Sequence, residues 1–253
     1  MSHTSPPPSR LPRSFGEAIA LLRTRFGWNE FVMLAALFVV AAGLWGFAEI
    51  VDEVLEGESH EFDEAIMLAL RTAGDTADPI GPPALEIAMR DITALGSFPV
   101  LFLIGAIAVG YLVVLRSYAS ALLVIVSLVG GSALNTVLKQ AFARPRPDLV
   151  AHLVDVHTLS LPSGHAMLST VTYLTIGALL ARVQPNRLLK IYTVAVAVAL
   201  ALLVGISRVY LGVHWPTDVL SGWCLGAAWA MACWLVARFV GRLRSPSSAA
   251  PRA

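Results

Sequence analysis

Charge is scarce in this 253-residue chain. Asp, Glu, Lys and Arg make up 14% of it, whereas a soluble domain of this length carries roughly 25%. Hydrophobic residues reach 57% and the mean hydropathy is +0.71. Length alone would allow one or two domains, but this composition excludes an ordinary soluble protein and points to one integral membrane bundle. Neither sign of charge dominates. The net charge is +1, so no global basic field suggests a nucleic-acid partner. Cysteine is nearly absent. Cys224 and Cys233 lie in one apolar run, and their spacing at about 100° per residue puts them on opposite faces of a helix. They are not expected to pair and carry no redox information. No internal repeat stands out.

The first 27 residues are polar, with Pro6, Pro7 and Pro8 followed by four arginines. Met1 to about Leu11 reads as disordered. No cleavable secretory signal is expected, because the first apolar run is too long for one and starts too late. Six stretches approach the roughly 20 apolar residues a membrane helix needs. They are Phe31–Ile50, Phe98–Leu115, Ala119–Val137, Ala166–Ala181, Leu189–Ile206 and Val219–Val240. Ser169, Thr170, Thr172 and Thr175 dilute the fourth, which a span buried among neighbours tolerates. The expected fold is all-α: a polytopic bundle of six transmembrane helices.

Direction follows from Lys and Arg. With a cytoplasmic N-terminus, the inner segments hold twelve of the eighteen basic residues. Residues 52–91 hold eleven of the seventeen acidic ones. Both termini are therefore expected inside, residues 1–27 and 241–253 being cytoplasmic segments around a membrane domain at 28–240. The outer loop at 51–97 is long enough to need structure of its own. "EFDEAIMLALRTAG" places Phe62, Ile66, Met67 and Leu70 on one helical face, and "PALEIAMRDI" is similar. Both read as amphipathic helices, either interfacial or packed on the bundle as a cap.

Basic residues break the charge rule in one layer. Lys139, Arg144, Arg146 and Arg208 lie in "KQAFARPRPD" and "SRVYLGVHWPTD", on the side where the bias expects few. Charge at the membrane edge is costly and usually functional. His165 opens the fourth span in "LPSGHAMLST", and His214 and Asp218 precede the sixth. Three loops thus converge on one face. Pro162, Ser163 and Gly164 could be a mere turn with Ser163 capping the helix. Free amides and a hydroxyl at a helix start also suit a phosphate, which arginine forks and a lysine point charge would bind. Asp218 in the first turn can reach back to one ring nitrogen of His214, leaving the other to attack.

Complete and in order, these stretches resemble the three signatures of the type 2 phosphatidic acid phosphatase superfamily. Lys139 with Arg146-Pro147 matches the first, Pro162 to His165 the second, and Ser207-Arg208, His214 and Asp218 the third. "DITALGS" also looks like bacterial members, and the excess of Arg over Lys hints at a GC-rich bacterial genome. The resemblance implies an integral membrane lipid phosphatase with an extracytoplasmic site in the inner or plasma membrane. His214 would form a phosphohistidine, Asp218 would orient it, and His165 would protonate the leaving oxygen. Lys139, Arg146, Arg208, Ser163 and Gly164 would bind the phosphoryl oxygens. It implies no metal and no cofactor; a metal cage also lacks converging carboxylates and thiolates here, and the cations would repel an ion.

The substrate would be a lipid phosphomonoester or pyrophosphate of the phosphatidic acid, phosphatidylglycerol phosphate or undecaprenyl pyrophosphate type, met in the bilayer. The alternatives are a lipid phosphotransferase using the same phosphohistidine, or a catalytically inactive transporter or scaffold. Arg144 is left between an auxiliary contact and a surface residue, and His152 and His157 read as loop residues. Tyr210, Trp215 and Trp223 read as interface-belt aromatics in preference to a lining for lipid access. "GWCLG" at Gly222–Gly226 reads as packing within the bundle. Oligomeric state is not legible.

Overall fold

A computed structural model describes residues 28–156 and 158–244. The whole N-terminal segment at 1–27, with its expected disorder from Met1 to about Leu11, the last nine residues and His157 lie outside the described residues. Within them are eight helices: α1 (Trp28–Glu56), α2 (His60–Ala69), α3 (Pro83–Ala94), α4 (Phe98–Val114), α5 (Tyr118–Phe142), α6 (Gly164–Val183), α7 (Arg187–Tyr210) and α8 (Pro216–Arg244). Five of them, α1 and α5 to α8, are long and apolar enough to cross a membrane alone. The sixth, α4, has 17 residues and meets α3 at a 48° bend. The chain is a polytopic helical membrane bundle.

Local chemistry sets the helix ends. Pro83 and Pro216 stand at helix starts, where a missing N–H costs nothing. The Asn186 side chain accepts the Leu188 N–H at 2.8 Å and caps α7. The α5 helix stops at Ala143, which turns left-handed (φ 47°) just before Arg144-Pro145-Arg146-Pro147. A residue that precedes proline is driven out of the α region, so the helix cannot continue.

The fourth expected span, diluted by hydroxyls, becomes α6, and its spanning window is half buried, the largest share among the five. It packs against α5, α7 and α8, while α1 lies along α8. Two of its four serine and threonine hydroxyls find partners inside the helix: Thr170 Oγ1 donates to the Ala166 carbonyl at 2.7 Å and Ser169 Oγ does so at 3.2 Å, while those of Thr172 and Thr175 are buried without one. Small residues let the backbones approach. A Cβ on Gly222 would stand 2.8 Å from the Ser163 carbonyl oxygen, and one on Gly226 would stand 2.7 Å from that of Met167. The "GWCLG" pattern therefore seats α8 against the turn and first helical residues at 163–167. Large apolar side chains such as Phe38, Trp45, Ile107 and Val114 face outward, as in a body surrounded by lipid.

The loop at 51–97 differs from expectation in two ways. The first helix runs on to Glu56, so Asp52 and Glu53 belong to it. A short antiparallel hairpin, β1 (Arg71–Thr72) with β2 (Asp75–Pro79), lies between the two short helices. Of the two readings of the amphipathic helices, α2 takes the cap packed on the bundle. Met67 is fully buried with Val150, Ala166, Val209, Trp215 and Val219, whereas Phe62 stays exposed. The buried face carries one carboxylate, Asp63, with no exposed surface. The belt reading of the aromatics is overturned as well. Tyr210 and Trp215 are buried; the Tyr210 hydroxyl donates to Ile80 at 2.8 Å and the Trp215 indole to Pro145 at 3.3 Å. Trp223 donates to Ala201 at 3.0 Å. Tyr210 thus ties a helix end to a loop, Trp215 ties two loops together, and Trp223 ties α8 to α7.

Candidate active site

The end of α5, the start of α6, the end of α7 and the start of α8 meet at one end of the bundle. They enclose a cavity of about 280 Å³ whose walls include Lys139, Arg146, Gly164, His165, Arg208 and His214. Six of the eight expected site residues thus share one wall. The other two lie directly behind it: Ser163 precedes Gly164, and Asp218 backs His214. The loop residues Val154, Asp155, Val156 and Thr158 close the remaining side.

His214 is buried, and its two ring nitrogens have different partners. Nδ1 lies 3.2 Å from Asp218 Oδ2, and Nε2 lies 3.2 Å from Arg146 Nη1. A guanidinium only donates, so Nε2 must carry the lone pair and Nδ1 the proton. Burial, followed by the charges of Arg146, Arg208 and Lys139, holds the His214 imidazole well below the usual histidine pKa. The ring is therefore neutral at physiological pH, with an acceptor nitrogen turned toward the cations. Burial likewise lowers Arg146, partly opposed by Asp218. A neutral imidazole beside three cations can attack an anionic electrophile.

Asp218 is fully buried and collects donors from two loops, the one between α5 and α6 and the α7–α8 turn. Oδ1 accepts Arg144 Nη1 at 2.8 Å, and Oδ2 accepts the Trp215 N–H at 2.9 Å and the Ser160 hydroxyl. Arg144 is neither a surface residue nor a wall of the cavity. The extended Arg-Pro-Arg-Pro segment puts residues two apart on one side; Arg144 meets Asp218 there and Arg146 meets His214. Lys139 Nζ donates to the Leu159 carbonyl and, at 3.2 Å, to that of Ser160. His152 Nε2 lies 2.6 Å from the Pro147 carbonyl oxygen, within its own loop.

Several residues were missed in the sequence. "DITALGS" turns out to supply two of them. Thr93 Oγ1 accepts Arg208 Nη1 at 3.0 Å, and Gly96 sits so close to α7 that a Cβ would stand 2.2 Å from Val204 Cγ1 and 3.4 Å from the His165 ring. Asn135 on α5 lies under the Ser-Gly turn, donating to the Pro162 carbonyl at 3.4 Å. No spacing rule marks these residues, because each acts across the bundle. Among the described residues, no three His, Cys, Asp or Glu side chains are grouped to hold a metal ion.

A second cavity, of about 460 Å³, adjoins the first and shares Lys139, Thr158, Gly164 and His165 with it. Its remaining walls include Gly96, Phe98, Ser132, Asn135, Leu159 and Leu168. Fold and site together define a helical membrane protein with a cationic pocket that opens into a mainly apolar groove.

The comparisons with known proteins agree with that class. A family model described as the PAP2 superfamily matches residues 120–242. Phosphatidylglycerophosphatase B of Bacillus subtilis is 38% identical over 169 residues, 64% of this chain and 80% of that protein. Undecaprenyl-diphosphatase of Sulfolobus acidocaldarius is 41% identical over 68 residues, 27% of this chain and 29% of that protein. The crystal structure of a transmembrane PAP2 type phosphatidylglycerolphosphate phosphatase from Bacillus subtilis superposes with a TM-score of 0.69 at 32% identity, over 82% of this chain and 98% of that one. The chain belongs to the PAP2 superfamily of membrane lipid phosphatases.

Ser163 separates a capping role from an anion-binding one. It stands at the α6 N-cap, yet its side chain makes no capping bond. Its Oγ is buried without a partner, as is Arg208 Nε. Ser163→Ala should leave the melting temperature in detergent unchanged while lowering kcat/KM about 10- to 100-fold, the scale of one hydrogen bond to a charged group. A fall in melting temperature at unchanged kcat/KM would make Ser163 a cap.

Proposed function

We propose that this protein hydrolyses a lipid phosphomonoester or pyrophosphate through a phosphohistidine on His214, at the extracytoplasmic face of the membrane. The observation that carries the reading is the fixed tautomer of His214, whose lone-pair nitrogen borders a cavity lined by three cations. His214 Nε2 attacks phosphorus and the bond to the lipid oxygen breaks. His165 gives that oxygen a proton and then takes one from the water that releases phosphate. Lys139, Arg146, Arg208, Ser163 and the Gly164 amide hold the phosphoryl oxygens, whose charge grows in the transition state. Arg146 turns from Nε2 to the substrate, which frees the nucleophile. Arg and Lys meet the phosphoryl charge themselves, so the reaction runs without a divalent metal.

The adjoining groove supports a lipid rather than a soluble ester. Phe98, Leu159 and Leu168 offer apolar walls to a chain whose phosphate reaches Lys139 and His165. Phosphatidylglycerol phosphate is the first candidate, since the relative that matches this chain over most of its own length bears that activity in its name. The excess of basic residues on the opposite side supports the outward face.

The division of roles between the histidines is tested with two leaving groups. His214→Ala should abolish turnover of lipid and aryl phosphates alike, since no other nucleophile borders phosphorus. His165→Ala should lose about 10²- to 10⁴-fold on the lipid and much less on the aryl phosphate, which needs little protonation. Equal losses on both substrates in both variants would refute it. The face is tested by a single cysteine at the exposed Asp155, with Cys224 and Cys233 replaced. An impermeant thiol reagent should label it in intact cells, and labelling only after lysis would reverse the topology.

A further inference from the structure

The contacts of Asp218 continue beyond the dyad into the outer-loop cap. Arg144 Nη1 donates to Asp218 Oδ1 and Nη2 to Asp63 Oδ2, each at 2.8 Å. Asp63 also accepts the Thr217 N–H at 2.9 Å and its hydroxyl at 2.6 Å. The Thr217 hydroxyl in turn accepts Arg144 Nη1 at 2.8 Å. Both carboxylates are wholly buried and the Arg144 side chain is 13% exposed, so solvent screens this network little. The Arg144 guanidinium also lies over the Trp215 ring, 5.5 Å from its centroid.

We infer that Asp63 and Arg144 are positioning residues of the reaction, with Asp63 balancing the charge of Arg144 so that Asp218 keeps its full negative charge for His214. This rests on the phosphohistidine reading above. One guanidinium between two carboxylates leaves the network with a single net negative charge. That charge stands behind Nδ1–H, where the ring becomes cationic when Nε2 bonds to phosphorus. Without Asp63, Arg144 and Asp218 would form a neutral pair beside a site that already holds three cations. The developing imidazolium would then lose its counter-charge. Asp63 also receives the first free N–H of α8, that of Thr217, which keeps Asp218 in place relative to the ring.

Asp63→Asn tests this, because the amide keeps an oxygen for Thr217 and removes the charge. Full-length protein in detergent is given phosphatidic acid radiolabelled at phosphorus and quenched in base during the first turnover. Wild type should carry label on His214. Asp63→Asn should be labelled about ten- to a hundredfold more slowly, the range seen when an outer partner of a catalytic group is removed. KM and melting temperature should hold, and Asp63→Glu should recover part of the rate. Arg144→Lys should behave like Asp63→Asn, since one ammonium cannot fork between two carboxylates. Labelling at the wild-type rate in either folded variant would overturn the inference. Loss of folding in both would make the network purely structural and overturn it too. Absence of label on wild-type His214 would instead remove the phosphohistidine reading itself.

Discussion

A carboxylate with no exposed surface can remain charged only if donors surround it. Asp218 meets that condition with Arg144 from the turn after α5, Ser160 from the loop before α6, and the Trp215 amide and His214 imidazole from the α7–α8 turn. No one of these loops could satisfy it alone. The carboxylate therefore ties both ends of the loop between α5 and α6 to the distant α7–α8 turn. Removing one partner of a buried pair of this kind costs about 3–5 kcal/mol, so the arrangement is strongly held. The same contacts that satisfy Asp218 hold His214 Nδ1–H and direct Nε2 to the cavity.

The membrane shapes the rest. Cations gathered at the ends of spanning helices cannot be fully hydrated, and Lys139 and Arg208 each find protein acceptors in the Leu159, Ser160 and Thr93 oxygens. Small residues let α8 lie against the beginning of α6, so the Ser-Gly-His turn is fixed by backbone packing as well as by hydrogen bonds. The bend between α3 and α4 places Gly96 and Phe98 beside His165, where the polar cavity passes into the apolar groove. A phosphate and its chain would thus meet different chemistry within one continuous space.

Much of this was legible in the chain. Spans of apolar residues have a length set by the bilayer, so their number could be counted. Three polar stretches at span ends had to share a face once alternate crossings were assumed, and Lys139, Arg146, Gly164, His165, Arg208 and His214 do share one cavity. The illegible residues act at long range. Asp63 falls on the buried face of an amphipathic helix, where periodicity expects only apolar side chains; a carboxylate at position i−4 from the buried Met67 was the available signal. Arg144 read as the unused member of a repeated Arg-Pro pair, because its partners lie 74 and 81 residues away. Thr93 had no local reason to be noticed. Tyr210 and Trp215 have the amphipathic character of belt residues, and only packing distinguishes a ring at the lipid surface from one beneath a loop.

The account stands on a covalent bond between His214 and phosphorus. The direct measurement is to quench the enzyme with base after brief exposure to a labelled lipid phosphate, since phosphohistidine survives alkali and is lost in acid over time, and to map the phosphorylated residue by mass spectrometry. The account predicts one phosphate on Nε2 of His214, formed before inorganic phosphate appears. Phosphate release at full rate with no such adduct, or an adduct on another residue, would contradict it.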